Sequence, residues 1–141
     1  MARTDPTVEM LGNVDLFEGL PKKALSQIVE AGKELSFREG VDVCKEGQTD
    51  ARFYLILDGA ASVTVAGREL NKLGPGDYFG EISIIDGQPR SATVTALGPL
   101  RTLSMTSWNF RPILKENSDI AFRVMRNLAR RVREAQSSPT C

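Results

Sequence analysis

Between Leu35 and Met105 the apolar residues recur in short groups: Leu35/Phe37, Val41/Val43, Phe53/Leu55/Leu57, Val63/Val65, Leu70/Leu73, Val94/Ala96 and Leu100/Leu103. Turn-forming residues separate nearly all of them. A period near two marks short strands, and glycines this frequent stop any run from continuing as a helix. Asp58-Gly59 and Ala66-Gly67 read as hairpin turns and Glu46-Gly47 as a loop. Gly74-Pro75-Gly76-Asp77 reads as a rigid corner that fits neither a strand nor a helix interior. Strands of this kind predict a sandwich, a jelly roll or a small barrel, and the mouth of the last two has room for one small ligand.

Helical spacing flanks this region. Pro21 suits a first helical position, Ala24, Leu25, Ile28 and Val29 follow at helical intervals, and Gly32 suits the stop. Just before it, Val14, Leu16, Phe17 and Leu20 predict a turn of helix packed on the core. At the other end, Ser107 caps an expected helix running to Glu116, with Pro112 tolerable only near the first turn. Asn117-Ser118 caps a second, in which Ile120, Val124, Leu128 and Val132 share a face with Ala121, Met125 and Ala135. Arg123, Arg126, Arg130 and Arg133 occupy the other face, with Arg131 nearer the edge, and read as a solvated face favoured by the helix dipole.

The chain has 141 residues, 41% hydrophobic and 26% charged, the balance of one soluble globular domain. Lysine plus arginine and aspartate plus glutamate both total 18, so the basic excess of a dedicated nucleic-acid binder is missing. Charge separates along the chain: residues 1–100 hold ten basic against fifteen acidic groups, and residues 101–141 hold eight against three, giving −5 and +5. There is no histidine, which removes the usual general base, the usual metal ligand and every imidazole triad. No catalytic or metal-ligating residue is therefore assigned, and no cofactor. Cys44 and Cys141 form no CxxC pair, so neither a zinc site nor a disulfide framework is suggested. The polar first twelve residues contain no run long enough for a signal peptide or membrane span, and the expectation is a soluble, cytoplasmic protein.

One stretch, residues 79–94, breaks the strand pattern and reads as strand end, single helical turn, loop and strand. Gly80 permits close backbone approach, and the amides of Glu81, Ile82 and Ser83 are the free donors of a short helix, a combination that attracts anions. Arg90, ten residues on, is the sole basic residue between Lys72 and Arg101; Pro89 fixes its approach and Ser91 adds a hydroxyl. A lone arginine in such a stretch calls for a planar anion, and phosphate fits. Glu81 could accept from a sugar hydroxyl. The competing reading is a buried Glu81–Arg90 ion pair that serves structure alone.

Residues 79–94, with glycine, glutamate, proline, arginine and a small residue at their spacing, resemble the phosphate-binding cassette of the cyclic nucleotide-binding domain family. That family includes catabolite-activator-type regulators, protein kinase A regulatory subunits and cyclic-nucleotide-gated channels. Leu16-Phe17-Glu18-Gly19-Leu20 is similar to its opening segment, Phe53-Tyr54-Leu55-Ile56-Leu57-Asp58-Gly59 to its central hairpin strand, and Leu73-Gly74-Pro75-Gly76-Asp77 to the turn before the cassette. The resemblance implies a mainly β fold with flanking helices: a β jelly roll with an N-terminal helical segment over residues 1–33, the roll over 34–106, and C-terminal hinge and lid helices over 107–136. It implies that Glu81 and the backbone of Gly80 take the ribose 2′-hydroxyl and that Arg90 pairs with the exocyclic phosphate oxygens. Ile82, Ser83 and Ser91 would add backbone donors, and Ser91 its hydroxyl. Positions facing the base would be Arg131, Ala135 and Gln136. Ala135 offers no hydrogen bond, which leaves the base preference resting on Gln136 or Arg131; cAMP is favoured, with cGMP the other candidate.

The expectation is a non-enzymatic sensor, with Ile82, Ile85, Leu103, Ile113, Leu114 and Val124 as candidates for an apolar hinge. The alternative is a ligand-indifferent structural or dimerisation module acting as a homodimer through helix 118–136. A jelly-roll hydrolase has little support without histidine, and an arginine partner would depress rather than raise the Glu81 pKa. No helix-turn-helix pattern is present, so direct DNA binding is not expected; no membrane partner is expected either, and the output partner is unassigned.

Overall fold

The computed structural model describes residues 5–135. The described chain begins with helix α1 (Asp5–Gly12), a 3-10 turn (Asp15–Phe17) and helix α2 (Lys22–Ala31). Strands β1 (Lys33–Phe37), β2 (Asp42–Cys44), β3 (Arg52–Asp58), β4 (Ala61–Val65), β5 (Arg68–Leu73) and β6 (Tyr78–Phe79) lead into a short helix, α3 (Glu81–Asp86). Strands β7 (Thr93–Ala96) and β8 (Leu100–Thr106) follow, and helices α4 (Ser107–Glu116) and α5 (Ser118–Ala135) complete the order. The strands form two four-stranded sheets, β1-β8-β3-β6 and β2-β7-β4-β5, in which the pairings are antiparallel. This is the expected jelly roll with flanking helices.

Strand β3, inside the first sheet, is buried on both faces. Phe53, Leu55 and Leu57 of β3 join a core with residues of α1, α2, α4 and α5, whereas Tyr54 and Ile56 point the other way and pack with Cys44, Ala61, Val94 and Ala96 of the second sheet. The run Phe53–Leu57 is therefore buried throughout, and its period of two describes two cores rather than one wet and one dry face. Phe110 of α4 stacks on Phe53 with centroids 4.3 Å apart, which seats α4 directly on the sheet. Tyr54 stacks on Phe79 at 4.9 Å in the inter-sheet core, fixing the strand that enters the cassette.

Several local expectations need correction. Asp58-Gly59 is not a hairpin turn, because β3 and β4 lie in different sheets. Gly59 instead carries the chain between them at φ +94°, where a Cβ would strike the Pro99 carbonyl. Ala66-Gly67 does close the β4–β5 hairpin, with both residues at positive φ as a type I′ turn requires. Pro21 is the cap before α2, and Thr106, rather than Ser107, caps α4 by accepting from the Asn109 amide. Pro112 lies mid-way along α4. The helix tolerates it because Trp108, whose carbonyl loses its donor, is largely exposed and open to solvent. Helix α1 falls within the helical segment expected over residues 1–33, and Val8 and Leu11, three apart, supply its buried contact.

The predicted single apolar face of α5 divides in two. Ile120 and Val124 are fully buried and Leu128 half-buried, but Val132 and Met125 are each 57% exposed. A residue repeating every four positions drifts by about 40° per step on a helix of about 3.6 residues per turn. After three steps Val132 has turned away from the core.

Candidate functional site

A cavity of about 630 Å³ opens between the β4–β5 hairpin, the cassette and the last turns of α5. This volume is ample for one nucleotide-sized molecule, within the roughly 300–1,000 Å³ usual for small-molecule sites. Gly80, Glu81, Ile82, Ser83, Arg90 and Ser91 all line it, together with Arg131 and Ala135. Gln136 lies outside the described residues.

The cassette's geometry follows from two glycines. Gly80 caps α3 at φ +94° and Gly87 ends it at φ +70°, both in the left-handed region, so the helix is limited to six residues. A Cβ on Gly80 would collide with the Arg52 carbonyl and lie 2.9 Å from Nη1 of Arg90. The missing side chain is what lets the arginine cross behind the turn. Gly80 has no side chain to cap the first-turn amides of α3, and that turn, with the positive end of the dipole, stands at the cavity wall.

Arg90 is 5% exposed. Its Nη1 donates to the Gly80 carbonyl at 3.2 Å and its Nη2 to the Arg52 carbonyl at 2.9 Å, while Asp50 stands 3.8 Å away. Its backbone is held by reciprocal bonds to the loop ahead of β3: Gly47 N–H to the Arg90 carbonyl at 2.9 Å, and Arg90 N–H to the Gln48 carbonyl at 2.8 Å. Nε of Arg90 is buried and has no hydrogen-bond partner among the described residues. A buried cation held by two neutral carbonyls and one offset carboxylate still favours an anion at close range.

The Glu81–Arg90 ion pair is not formed. Glu81 is 1% exposed and pairs instead with Arg131, whose Nη1 donates to Oε2 at 3.0 Å. Burial nevertheless dominates and pushes the Glu81 carboxyl above its ordinary value, against the lowering pull of Arg131, its own backbone amide and Arg90. The expected lowering by an arginine partner is present, but burial outweighs it. Cys44 lines the cavity behind Arg90, and burial pushes its thiol up to about 11, so it stays protonated.

The profile of the cyclic nucleotide-binding domain family matches residues 34–117. The chain belongs to that family. A cAMP-activated global transcriptional regulator of Mycobacterium tuberculosis is 30% identical over 135 residues, which is 92% of this chain and 60% of the regulator. A cyclic nucleotide-gated potassium channel of Mesorhizobium japonicum is 34% identical over 113 residues, 80% of this chain and 31% of the channel. The chain thus spans less than two thirds of either relative. Among solved structures, the regulatory domain of Toxoplasma gondii protein kinase A with cAMP shares the fold, with a TM-score of 0.80 at 22% identity over 88% of this chain and 49% of that one. Family members of this kind are regulatory domains.

In this cyclic nucleotide-binding domain, tertiary structure makes polar contacts that the sequence did not flag. Asn127 of α5 is buried, and its Nδ2 donates to the Tyr78 hydroxyl at 2.7 Å. A lone amide within the core-facing stripe of a helix was the available signal. Arg123 donates to the carbonyls of Leu16 at 3.1 Å and Asp15 at 3.4 Å, so this half-buried member of the arginine face anchors α5 to the 3-10 turn. Of the hinge candidates, Leu103, Ile113 and Val124 are core residues with Leu114 packed beside them; Ile82 lines the cavity and Ile85 is 48% exposed. Among the described residues no helix is long and apolar enough to cross a membrane.

Proposed function

We propose that the domain binds a 3′,5′-cyclic purine nucleotide, with cAMP preferred to cGMP, as a sensor whose output is movement of α4 and α5. The observation that carries the reading is Arg90, a buried guanidinium whose Nε has no partner among the described residues, in the same cavity wall as the first turn of α3. The two exocyclic oxygens of a cyclic phosphate match a guanidinium in plane and charge. Glu81 supplies the acceptor for the ribose 2′-hydroxyl, with the backbone of Gly80 beside it. Ile82, Ser83 and Ser91 serve as donors around the phosphate, and Arg131 and Ala135 face the base. The names of similar proteins support cAMP: the M. tuberculosis regulator is cAMP-activated, and the T. gondii domain was crystallised with cAMP.

The cavity is roofed by α5, which touches the cassette through Arg131. Differential contact of the ligand with two positions of α5 is what allows binding to shift their populations. Thermal unfolding with cAMP, cGMP and 5′-AMP tests the reading. Ligand at about a hundred times its dissociation constant adds about 2.7 kcal/mol of stability. A shift with a cyclic nucleotide, absent with 5′-AMP and abolished in Arg90→Leu, is the expected result, with the nucleotide recovered unchanged after prolonged incubation. No shift with any of the three would overturn it.

A homodimer through α5 is the second part of the proposal. Phe122, Met125, Ala129 and Val132, spaced three, four and three apart, form an exposed outer stripe; three of them are 60%, 57% and 57% exposed hydrophobics. That spacing is a two-helix seam. Arg126 and Arg133 flank one side of it and Ala121, Leu128 and Ala135 the other. An antiparallel partner would set arginine against arginine, whereas a parallel one lays arginine stems over Leu128, so the parallel arrangement is favoured.

A further inference from the structure

The two ends of α3 have different neighbours. Its first turn, Glu81 to Ser83, lines the cavity, whereas Nη2 of Arg111 on α4 donates to the Ile84 carbonyl near its other end at 2.9 Å. That carbonyl is among the last four of the helix, which lack an intrahelical donor and carry the negative end of the dipole. A guanidinium is a strong complement to it, and the bond is directional. Around it, Ile84 is 1% exposed and packs in one cluster with Phe110 and Ile113 of α4. Apolar packing holds two helices together without fixing their sliding; a charge-assisted hydrogen bond to a backbone atom fixes it.

We infer that Arg111 is the positioning residue that makes α4 follow α3 when the cassette engages its ligand. The inference rests on the proposed reading of the cavity as a cyclic-nucleotide site. Arg111 lies outside the cavity lining, so it acts through Ile84 and touches no ligand. Displacement of α3 passes to α4 at this bond. On the far side, Asn109 Nδ2 holds the Ala31 carbonyl of α2 at 2.9 Å and forms the opposing tether. Asn117 joins α4 to α5: its backbone N–H and its Nδ2 donate to the Ile113 carbonyl, both at 2.9 Å, and its own carbonyl accepts from the amides of Ile120 and Ala121.

The test uses the full chain, with cAMP and cGMP as probes. Binding is measured by calorimetry, and movement of α4 by amide hydrogen exchange over residues 107–116. A second report comes from fluorescence of Trp108, the single tryptophan, which is 86% exposed in the first turn of α4. In the unaltered protein, exchange and fluorescence are expected to change in step with binding. In Arg111→Met, affinity is expected to stay within about threefold while the α4 response falls at least fivefold, and Arg111→Lys is expected to restore part of it. An Arg111→Met protein that binds and responds normally overturns the inference. So does one that folds, by circular dichroism, but no longer binds, and so does an unaltered protein that binds without any α4 response. Should Arg111→Met not fold, the same readouts on Arg111→Lys and Arg111→Gln decide it, since a purely structural residue would lower stability without uncoupling binding from response. Absence of binding in the unaltered protein overturns the site reading itself, and the inference with it.

Discussion

Nη1 of Arg131 donates to Oε2 of Glu81 at 3.0 Å, joining the last turns of α5 to the first residue of the cassette helix. Arg131 is 46% exposed and Glu81 2% at their side chains, so the pair is asymmetric: the carboxylate is locked in and the guanidinium can leave. Removing Arg131 takes away the largest influence that lowers the Glu81 pKa while leaving burial in place. Arg131→Met is expected to raise the Glu81 pKa further, read from its carboxyl carbon by NMR titration. A fall, or no change, would show that the pair does not govern this group.

The same carboxyl makes a prediction for stability. Its pKa is raised by folding, so its contribution is fully present below the ordinary carboxylate value of 4.5 and is lost as pH rises through the folded value. Glu81→Gln, which carries no charge to bury, is expected to be more stable than the unaltered protein at pH 7, with the gap closing as pH falls towards 4.5. Thermal unfolding of both proteins across that range checks it, and a gap that widened on acidification would refute it. Glu81→Ala, which removes the charged acceptor for a sugar hydroxyl altogether, is expected to weaken cAMP binding by about 1–3 kcal/mol.

Arg90→Leu is expected to weaken binding by about 2–5 kcal/mol, because the ligand's charge would enter the cavity without its partner. Gly80→Ala reaches the same site through the backbone. It forces an L-residue into φ +94° and drives its Cβ against the Arg52 carbonyl and Arg90, at a cost of at least about 1–2 kcal/mol in stability. Calorimetric titration and denaturant unfolding separate the two cases: the leucine variant loses binding with its fold intact, and the alanine variant loses both.

Tyr78→Phe removes the hydroxyl that accepts from Asn127 and leaves a buried amide unpaired, at about 1–3 kcal/mol. Replacing both partners, Tyr78→Phe with Asn127→Leu, is expected to recover most of that loss. A double-mutant cycle by urea unfolding measures the coupling, and additive effects would show that the bond contributes nothing.

Met125→Glu places a charge in the middle of the exposed stripe on α5 while leaving the core face of that helix untouched. Sedimentation velocity is expected to show a dimer for the unaltered protein and a monomer for the variant at the same concentration. Identical sedimentation of the two would remove the α5 seam from the proposal.

Much of this architecture was legible in the chain because its signals are local. The positive-φ turns at Ala66-Gly67 and Gly76, the glycine before α3 and the strand alternation each depend on a few adjacent residues. Gly80, Glu81, Ile82, Ser83, Arg90 and Ser91 line one cavity because the cassette is a continuous segment whose geometry its own glycines dictate. The misreadings share a cause. Whether Asp58-Gly59 closes a hairpin or crosses between sheets depends on what β3 pairs with, and the turn residues are the same either way.

By itself the sequence determined where the chain turns, where strands give way to helices, and that a lone arginine sits ten residues beyond a left-handed glycine. These are properties of φ, of periodicity and of side-chain chemistry, which act over a few residues. Only the tertiary structure decided that Arg90 rests on the carbonyls of Gly80 and Arg52, that Glu81 takes Arg131 as its partner, and that Arg111 holds the far end of α3. The outcome could not be read from spacing. Burial sets the cost of leaving a charge unpaired, and burial follows from how distant segments pack, so the choice among several arginines for one carboxylate or carbonyl is made only once the sheets and helices have come together.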